Sequence, residues 1–153
     1  MAKELDSYDM KILRALSRDG RMSWRNLADD IGLSLTPTLR RVKRLEDEGY
    51  IEGYSAYLDE KRLMGAMSAF VSVTLEKQVE EVLKRFEERV SALPEVMSCF
   101  LMSGGADYTL RVVVRDLEHY QVLLSKLTRI QGVAHIQSSF ALKSVIRRRG
   151  PEL

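Results

Sequence analysis

Four cations, Arg40, Arg41, Lys43 and Arg44, stand within the five positions 40–44, and no carboxylate falls between Ser34 and Leu45. Just ahead of them come three short hydroxyl side chains, Ser34, Thr36 and Thr38, together with Pro37. A guanidinium is a rigid fork of donors that fits phosphate oxygens or the acceptor edge of guanine, and hydroxyls bond either bases or phosphates. On one helix this is the chemistry of nucleic-acid recognition, with hydroxyls at the N-terminal end toward base edges and cations toward phosphate. Arg21, Ser23 and Arg25, at the front of the preceding helix, are placed to touch the flanking backbone. A solvated helix face in a packing module is the plainer reading of the same charges.

A second constellation is Gly104-Gly105-Ala106-Asp107, flanked by Ser103 and Tyr108. Glycines let backbone approach a ligand closely, so exposed N–H groups can hold a carboxylate while Asp107 accepts from an α-ammonium. Together they would clamp an amino-acid zwitterion. On the residues alone, a hairpin turn closed by an Asx hydrogen bond is the plainer reading.

Catalytic chemistry finds no such support. The chain has no nucleophile–base pair, paired-carboxylate motif or phosphate loop. His119 and His135 lack ligand spacing, so no metal is expected, and Cys99 reads as a small core residue. One cysteine forms no internal disulfide, which fits a reducing cytoplasm. The hydrophobic share of 45%, charged share of 30% and 153-residue length suit a globular chain of one domain or two small ones. Apolar runs such as Val112-Val113-Val114 are too short to span a bilayer, no charged-apolar-small leader opens the sequence, and no membrane partner is expected. A net charge of +2 identifies no partner, so the placement of charge carries the inference.

The elements that must position these groups fall into two unlike halves. Asp6 reads as an N-cap with Asp9 at the third helical position, Leu5 and Met10 as a hydrophobic staple, and Gly20 as the stop. Ser23 caps a second helix, with Met22 and Leu27 in staple positions and an inward face of Leu27, Ala28 and Ile31, ended by Gly32. Ser34 caps a third, with Pro37 in its first turn, where a missing N–H costs little. Leu35, Leu39, Val42 and Leu45 recur at helical spacing as its inward face, leaving Thr36, Thr38, Arg40, Arg41, Lys43 and Arg44 outward. Three short helices with a Gly32-Leu33 turn match a helix-turn-helix. Residues 51–58, with Tyr54 and Tyr57, alternate as a strand leaving the module.

From Ala69 the period changes. Strands are expected over 69–75, 96–102, 108–114 and 135–145, with helices over 79–93 and after Asp116. That order, β-α-β-β-α-β, is the ferredoxin-like plan. The fold class is therefore α+β, with a helix-turn-helix (winged-helix-like) domain over 1–58, a linker over 59–68 and a ferredoxin-like domain over 69–153. The apolar alternation of 69–75 and 108–114 can supply an uncovered sheet face that buries against a second copy, giving a two-fold dimer. Arg147-Arg148-Arg149 reads as a solvated tail.

Asp6-x-x-Asp9-x-x-Ile12-Leu13-x-x-Leu16, Gly20-Arg21-Met22-Ser23, Leu27-Ala28-x-x-Ile31-Gly32-Leu33-Ser34 and Arg41-x-x-x-Leu45-Glu46-x-x-Gly49-x-Ile51-x-Gly53-Tyr54 together resemble the Lrp/AsnC transcription regulators. Leu93-Pro94-Glu95-Val96, Cys99, Gly104-x-x-Asp107-Tyr108 and Ile130-x-Gly132-Val133 extend the resemblance from Leu5 to about Ile146. Leu35 departs from it, standing where many members carry proline after the serine. The resemblance implies double-stranded DNA as a partner and a homodimer assembling to a tetramer or octamer. It also implies an amino-acid effector, leucine as a first guess, and no other cofactor. By position Ser103, Gly104, Gly105, Ala106, Asp107 and Tyr108 map onto the family's effector loop, with Gln137, Ser138 and Ser139 on the last strand facing it. The expectation is a DNA-binding regulator modulated by a small amino acid. Its competitors are a small ferredoxin-like enzyme and a protein-interaction module.

Overall fold

The computed structural model describes residues 4–148 and 150–153. Arg149, in the basic run expected as a tail, lies outside them, while Arg148 is exposed and pairs with Glu152 at 3.4 Å. The chain divides into two compact units, Met1–Tyr57 with Ile146–Leu153, and Leu58–Val145.

In the first unit two of the three caps read from sequence, Asp6 and Ser23, bond the first turns of their helices. Asp6 accepts from the N–H groups of Tyr8 and Asp9, and Asp9 accepts in return from the Asp6 N–H, so α1 (Ser7–Arg18) opens on a closed capping box. Ser23 Oγ accepts from the Asn26 N–H at the start of α2 (Trp24–Ile31), and Gly32 ends it at φ 75°, where a side chain would be strained. Ser34 precedes α3 (Leu35–Asp47) but makes no side-chain cap bond. Ile12, Ala15, Leu16, Leu27, Ile31, Val42 and Leu45 form one core, with Leu5, Leu13, Met22, Leu33 and Ile51 packed at its edge. Each Ile or Leu sealed there contributes about 2 kcal/mol by leaving water.

Residues 51–58 are not a strand. They have the alternation of one but, among the described residues, no partner strand to complete a ladder. Instead Tyr54 packs edge-on against Trp24, with ring centroids 6.3 Å apart, and donates its hydroxyl proton to Glu46 at 3.0 Å.

The second unit opens with a helical turn, α4 (Glu60–Leu63), where a linker was expected. Glu60 accepts two hydrogen bonds from Arg111, at 2.8 and 3.1 Å, which ties the turn to the sheet. The strands are β1 (Met67–Leu75), β2 (Val96–Leu101), β3 (Tyr108–Val114) and β4 (Val133–Phe140), and the helices are α5 (Glu80–Ser91) and α6 (Leu117–Thr128). The order across the sheet is β2-β3-β1-β4, every pair antiparallel. The last strand ends five residues short of its expected limit, at Phe140 opposite Ala69, with the Ala141 N–H donating to the Ser68 carbonyl just beyond it. The residues after Val145 belong with the first unit.

Alternation assigns the two faces of this sheet. Ala69, Val71, Val73 and Leu75 from β1 join Tyr108, Leu110, Val112 and Val114 from β3 under Phe86, Val90, Leu123 and Leu127 of the helices. The apolar residues expected to form an uncovered face are therefore the ones the helices cover. The opposite face carries Ser72, Thr74, Thr109, Gln137 and Ser139, with Phe70 and Phe100 as its exposed aromatics. Cys99 is exposed on the edge strand rather than in the core.

Candidate nucleic-acid interface and effector loop

The register of α3 decides which of its polar groups reach solvent. Thr38, Val42 and Leu45 are the buried residues, whereas Leu35 and Leu39 are 40% and 38% exposed. The inward stripe is thus rotated from the one that apolar spacing predicts. Thr38 takes the inner position because its hydroxyl is satisfied locally, donating to the Ser34 carbonyl at 2.9 Å, so only its methyl meets the core as apolar surface. It is not on the outer face.

The same rotation carries Arg41 and Arg44 toward α1. Arg41 Nη1 donates to Asp6 Oδ2 at 2.6 Å and to Asp9 Oδ1 at 2.8 Å, and its guanidinium lies 5.4 Å from the centre of the Tyr8 ring. Arg44 Nη2 stands 2.5 Å from Asp9 Oδ2 as an ion pair, its N–H not aimed for a hydrogen bond. The Asp9 side chain is fully buried, and both guanidinium groups are about three-quarters covered. The Asp9 N–H, then the Arg41 guanidinium, hold the Asp6 carboxyl down at about 2, from an ordinary 3.8. Burial pushes Asp9 up, but the Asp6 N–H and both guanidinium groups outweigh it and keep its carboxyl below the ordinary value. Asp6 and Asp9 in turn raise Arg41 above its ordinary value. Arg41 and Arg44, expected to reach phosphate or guanine, are instead the clamp that seats α3 on α1.

What remains outward is a narrower set. Thr36, Leu39, Arg40 and Lys43 are exposed along α3, with Ser34 and Leu35 exposed at its start and Pro37 half-buried. Lys43 is paired along the helix with Asp47 at 2.7 Å. Arg21, Arg25 and Arg40 are exposed and make no ion pair among the described residues, so their charge is available to an outside anion. Ser23 uses its oxygen as a cap acceptor and keeps its hydroxyl proton to donate. Leu35 and Leu39 were missed as outer-face residues because apolar periodicity counted them inward.

The glycine loop is similarly sorted. Ser103, Gly104 and Gly105 are exposed and Ala106 is half-buried. Asp107 is buried: its Oδ2 accepts from the Leu75 N–H at 2.6 Å and its Oδ1 accepts from the Gln78 amide. Its backbone adds an N–H to the Val73 carbonyl and a carbonyl to the Met102 N–H. Each carboxylate oxygen thus has one internal donor, and Asp107 anchors the loop to the end of β1. Tyr108 is buried on the helix side, its hydroxyl donating to Glu87 at 2.6 Å. Burial, with the Glu87 carboxylate beside it, raises its phenol well above the usual range.

Ser138 is opposite Val71 on the helix-covered face and accepts from the Tyr120 hydroxyl. Gln137 and Ser139, exposed, pair with Ser72 and Phe70 on the open face. The three therefore do not share a side. Gln78, which no spacing signals, is the added partner of the loop.

Residues 68–151 match the model of the Lrp/AsnC ligand binding domain, and residues 5–52 that of a winged helix-turn-helix DNA-binding domain. The chain belongs to the Lrp/AsnC family. It is 66% identical over 151 residues to the Bkd operon transcriptional regulator of Pseudomonas aeruginosa, covering 98% of this chain and 99% of that one. With the leucine-responsive regulatory protein of Escherichia coli K12 it shares 39% identity over 144 residues, 94% of this chain and 88% of the other. The fold superposes with a TM-score of 0.90 on a Neisseria meningitidis transcriptional regulator crystallised with L-Met, at 33% identity and 97% coverage of both chains. This Lrp/AsnC chain is accordingly a DNA-binding transcription regulator, not an enzyme, whose second domain takes a small amino-acid effector. Among the described residues no helix is long and apolar enough to cross a membrane.

Proposed function

We propose that α3 enters the major groove of duplex DNA with Thr36, Leu39, Arg40 and Lys43 toward the bases and adjoining phosphates. Ser34 and Pro37 approach at its start, and Arg21, Ser23 and Arg25 hold the flanking backbone. The observation that carries this reading is the division of α3's cations. Arg41 and Arg44 are neutralised internally, whereas Arg40, together with Arg21 and Arg25, presents unpaired charge at the surface. Phosphate contacts of this kind set affinity and make it fall steeply with salt.

The effector reading places the amino acid at the backbone of Ser103, Gly104, Gly105 and Ala106, near the open-face residues Gln137 and Ser139. Leucine is the proposed ligand, since a relative is named for its response to leucine, and methionine is the second choice from the L-Met complex of the Neisseria regulator. Both offer a zwitterion and a flexible apolar side chain. The open sheet face, with Phe70 46% and Phe100 60% exposed, supports burial against a second copy in a homodimer, assembling further to a tetramer or octamer. The functional division follows the compact units, with the boundary after Tyr57, and the working compartment is the cytoplasm.

The test is footprinting of a duplex carrying the gene's own upstream region, over a salt series and with each amino acid added in turn. A protected segment whose affinity falls with salt and shifts with leucine supports the proposal. Affinity indifferent to salt removes the groove docking, and indifference to every amino acid removes the effector assignment.

A further inference from the structure

We infer that Leu35 and Leu39 read thymine methyl groups, so that the operator carries thymine beneath the first half of α3. The inference rests on the groove docking proposed above and names the sequence class it selects. Leu35 and Leu39 lie one turn apart on α3, and Lys43 continues the same ridge a further turn on. Thr36 and Arg40 form the ridge beside it. The two leucines are 40% and 38% exposed and take no part in the apolar core that seals Val42 and Leu45. The core that seats α3 therefore does not require leucine at these positions, and neither does solubility.

The surrounding charge identifies the occupant. Arg40 is exposed and unpaired on the same side, Lys43 follows, and Arg21 and Arg25 add free cations on α2. A polyanion fits that rim, and an apolar protein surface does not. Within the major groove the thymine 5-methyl is the apolar group on a base edge, and it distinguishes A·T from G·C and fixes the strand on which thymine lies. Hydroxyl and guanidinium groups handle the hydrogen-bonding edges, and the leucine ridge supplies the contact they lack.

The experiment uses the full chain and a duplex selected from a random-sequence pool on the wild-type protein, synthesised either with thymidine or with deoxyuridine, which lacks only the methyl. Each replacement under α3 is expected to weaken binding about fourfold, the equivalent of one methyl group returned to water. For the Leu35→Ala/Leu39→Ala variant the two duplexes are expected to bind alike, near the wild-type affinity for the deoxyuridine form. Arg40→Ala should lose affinity equally on both, and Leu39→Met should retain discrimination.

Equal wild-type affinity for the two duplexes overturns methyl reading while leaving the docking of α3 standing. That comparison needs no variant to fold. A double-leucine variant that changes oligomeric state while still discriminating the duplexes assigns the ridge to a protein contact and also overturns it. Failure of wild type to select any duplex removes the docking itself.

Discussion

Asp9 and Asp107 are both carboxylates sunk beneath a surface assigned to binding, and they are held by different partners. Asp9, under α3, meets two guanidinium groups and a backbone N–H. Asp107, under the glycine loop, meets a backbone N–H and a neutral amide. α3 is therefore seated by charge, and the glycine loop by neutral donors. A buried ion pair yields little net stability when intact but is costly to halve, because the survivor stays charged and dry. A carboxylate satisfied by neutral donors loses individual hydrogen bonds instead.

The largest effect should come from removing the cationic half of the first network. Arg41→Ala with Arg44→Ala leaves Asp9 buried without a counter-charge and should cost about 3–5 kcal/mol. Thermal unfolding followed by circular dichroism should show the first unit melting early, with DNA binding lost as a consequence of unfolding. A double variant that stays folded and loses only DNA would make these arginines contacts after all, and would erase the contrast.

Asp107→Ala should cost less, about 1–3 kcal/mol in denaturant unfolding, because the Leu75 N–H is left without an acceptor. Amino-acid affinity, read by calorimetry with leucine, should fall together with that stability. Asp107→Asn should be intermediate, since its carbonyl oxygen still accepts from one of the two donors. Undiminished stability with a lost amino-acid response would show instead that the carboxylate holds the ligand.

Acid sharpens the comparison further. Asp6 is held at about 2 against 3.8 in the unfolded chain, and Asp9 is also lowered. Groups depressed by folding stabilise the protein above their unfolded value, and that contribution disappears as pH falls through the folded one. Helicity of the first unit should therefore weaken between pH about 4 and about 2. A flat melting temperature across that window would detach α3's seating from these carboxylates.

The sequence carried the helix starts because capping is local: Asp6, Asp9 and Ser23 lie two or three residues from the N–H groups they bond. The order of strands was legible for the same reason, through period and turns. The face of α3 was not. Thr38 hides its polarity on the preceding turn and so does not count as apolar in a periodicity, while Leu35 and Leu39 do. The partners of Asp107 were hidden for a different reason, since its acceptor role toward Leu75, 32 positions away, depends on the β1–β3 pairing. Tyr54 alternates with Tyr57 like a strand residue, yet its neighbours are Trp24 and Glu46, so the pattern had no ladder to join. Burial raises the Tyr54 phenol to about 12, with the Glu46 carboxylate adding to it.

The smallest effect on folding falls at Arg40, and there the central claim is most exposed. Arg40→Ala should leave stability within about 0.5 kcal/mol, as for a surface residue without an internal partner. The decisive measurement is duplex affinity of wild type and Arg40→Ala across a salt series, with unfolding of both followed in parallel. The expected result is weaker binding by the variant, a log–log salt slope shallower by about 0.9 for each engaged subunit's lost phosphate contact, and an unchanged melt. Matching affinities and slopes would contradict the account, for the outer face of α3 would then not be the surface that meets DNA.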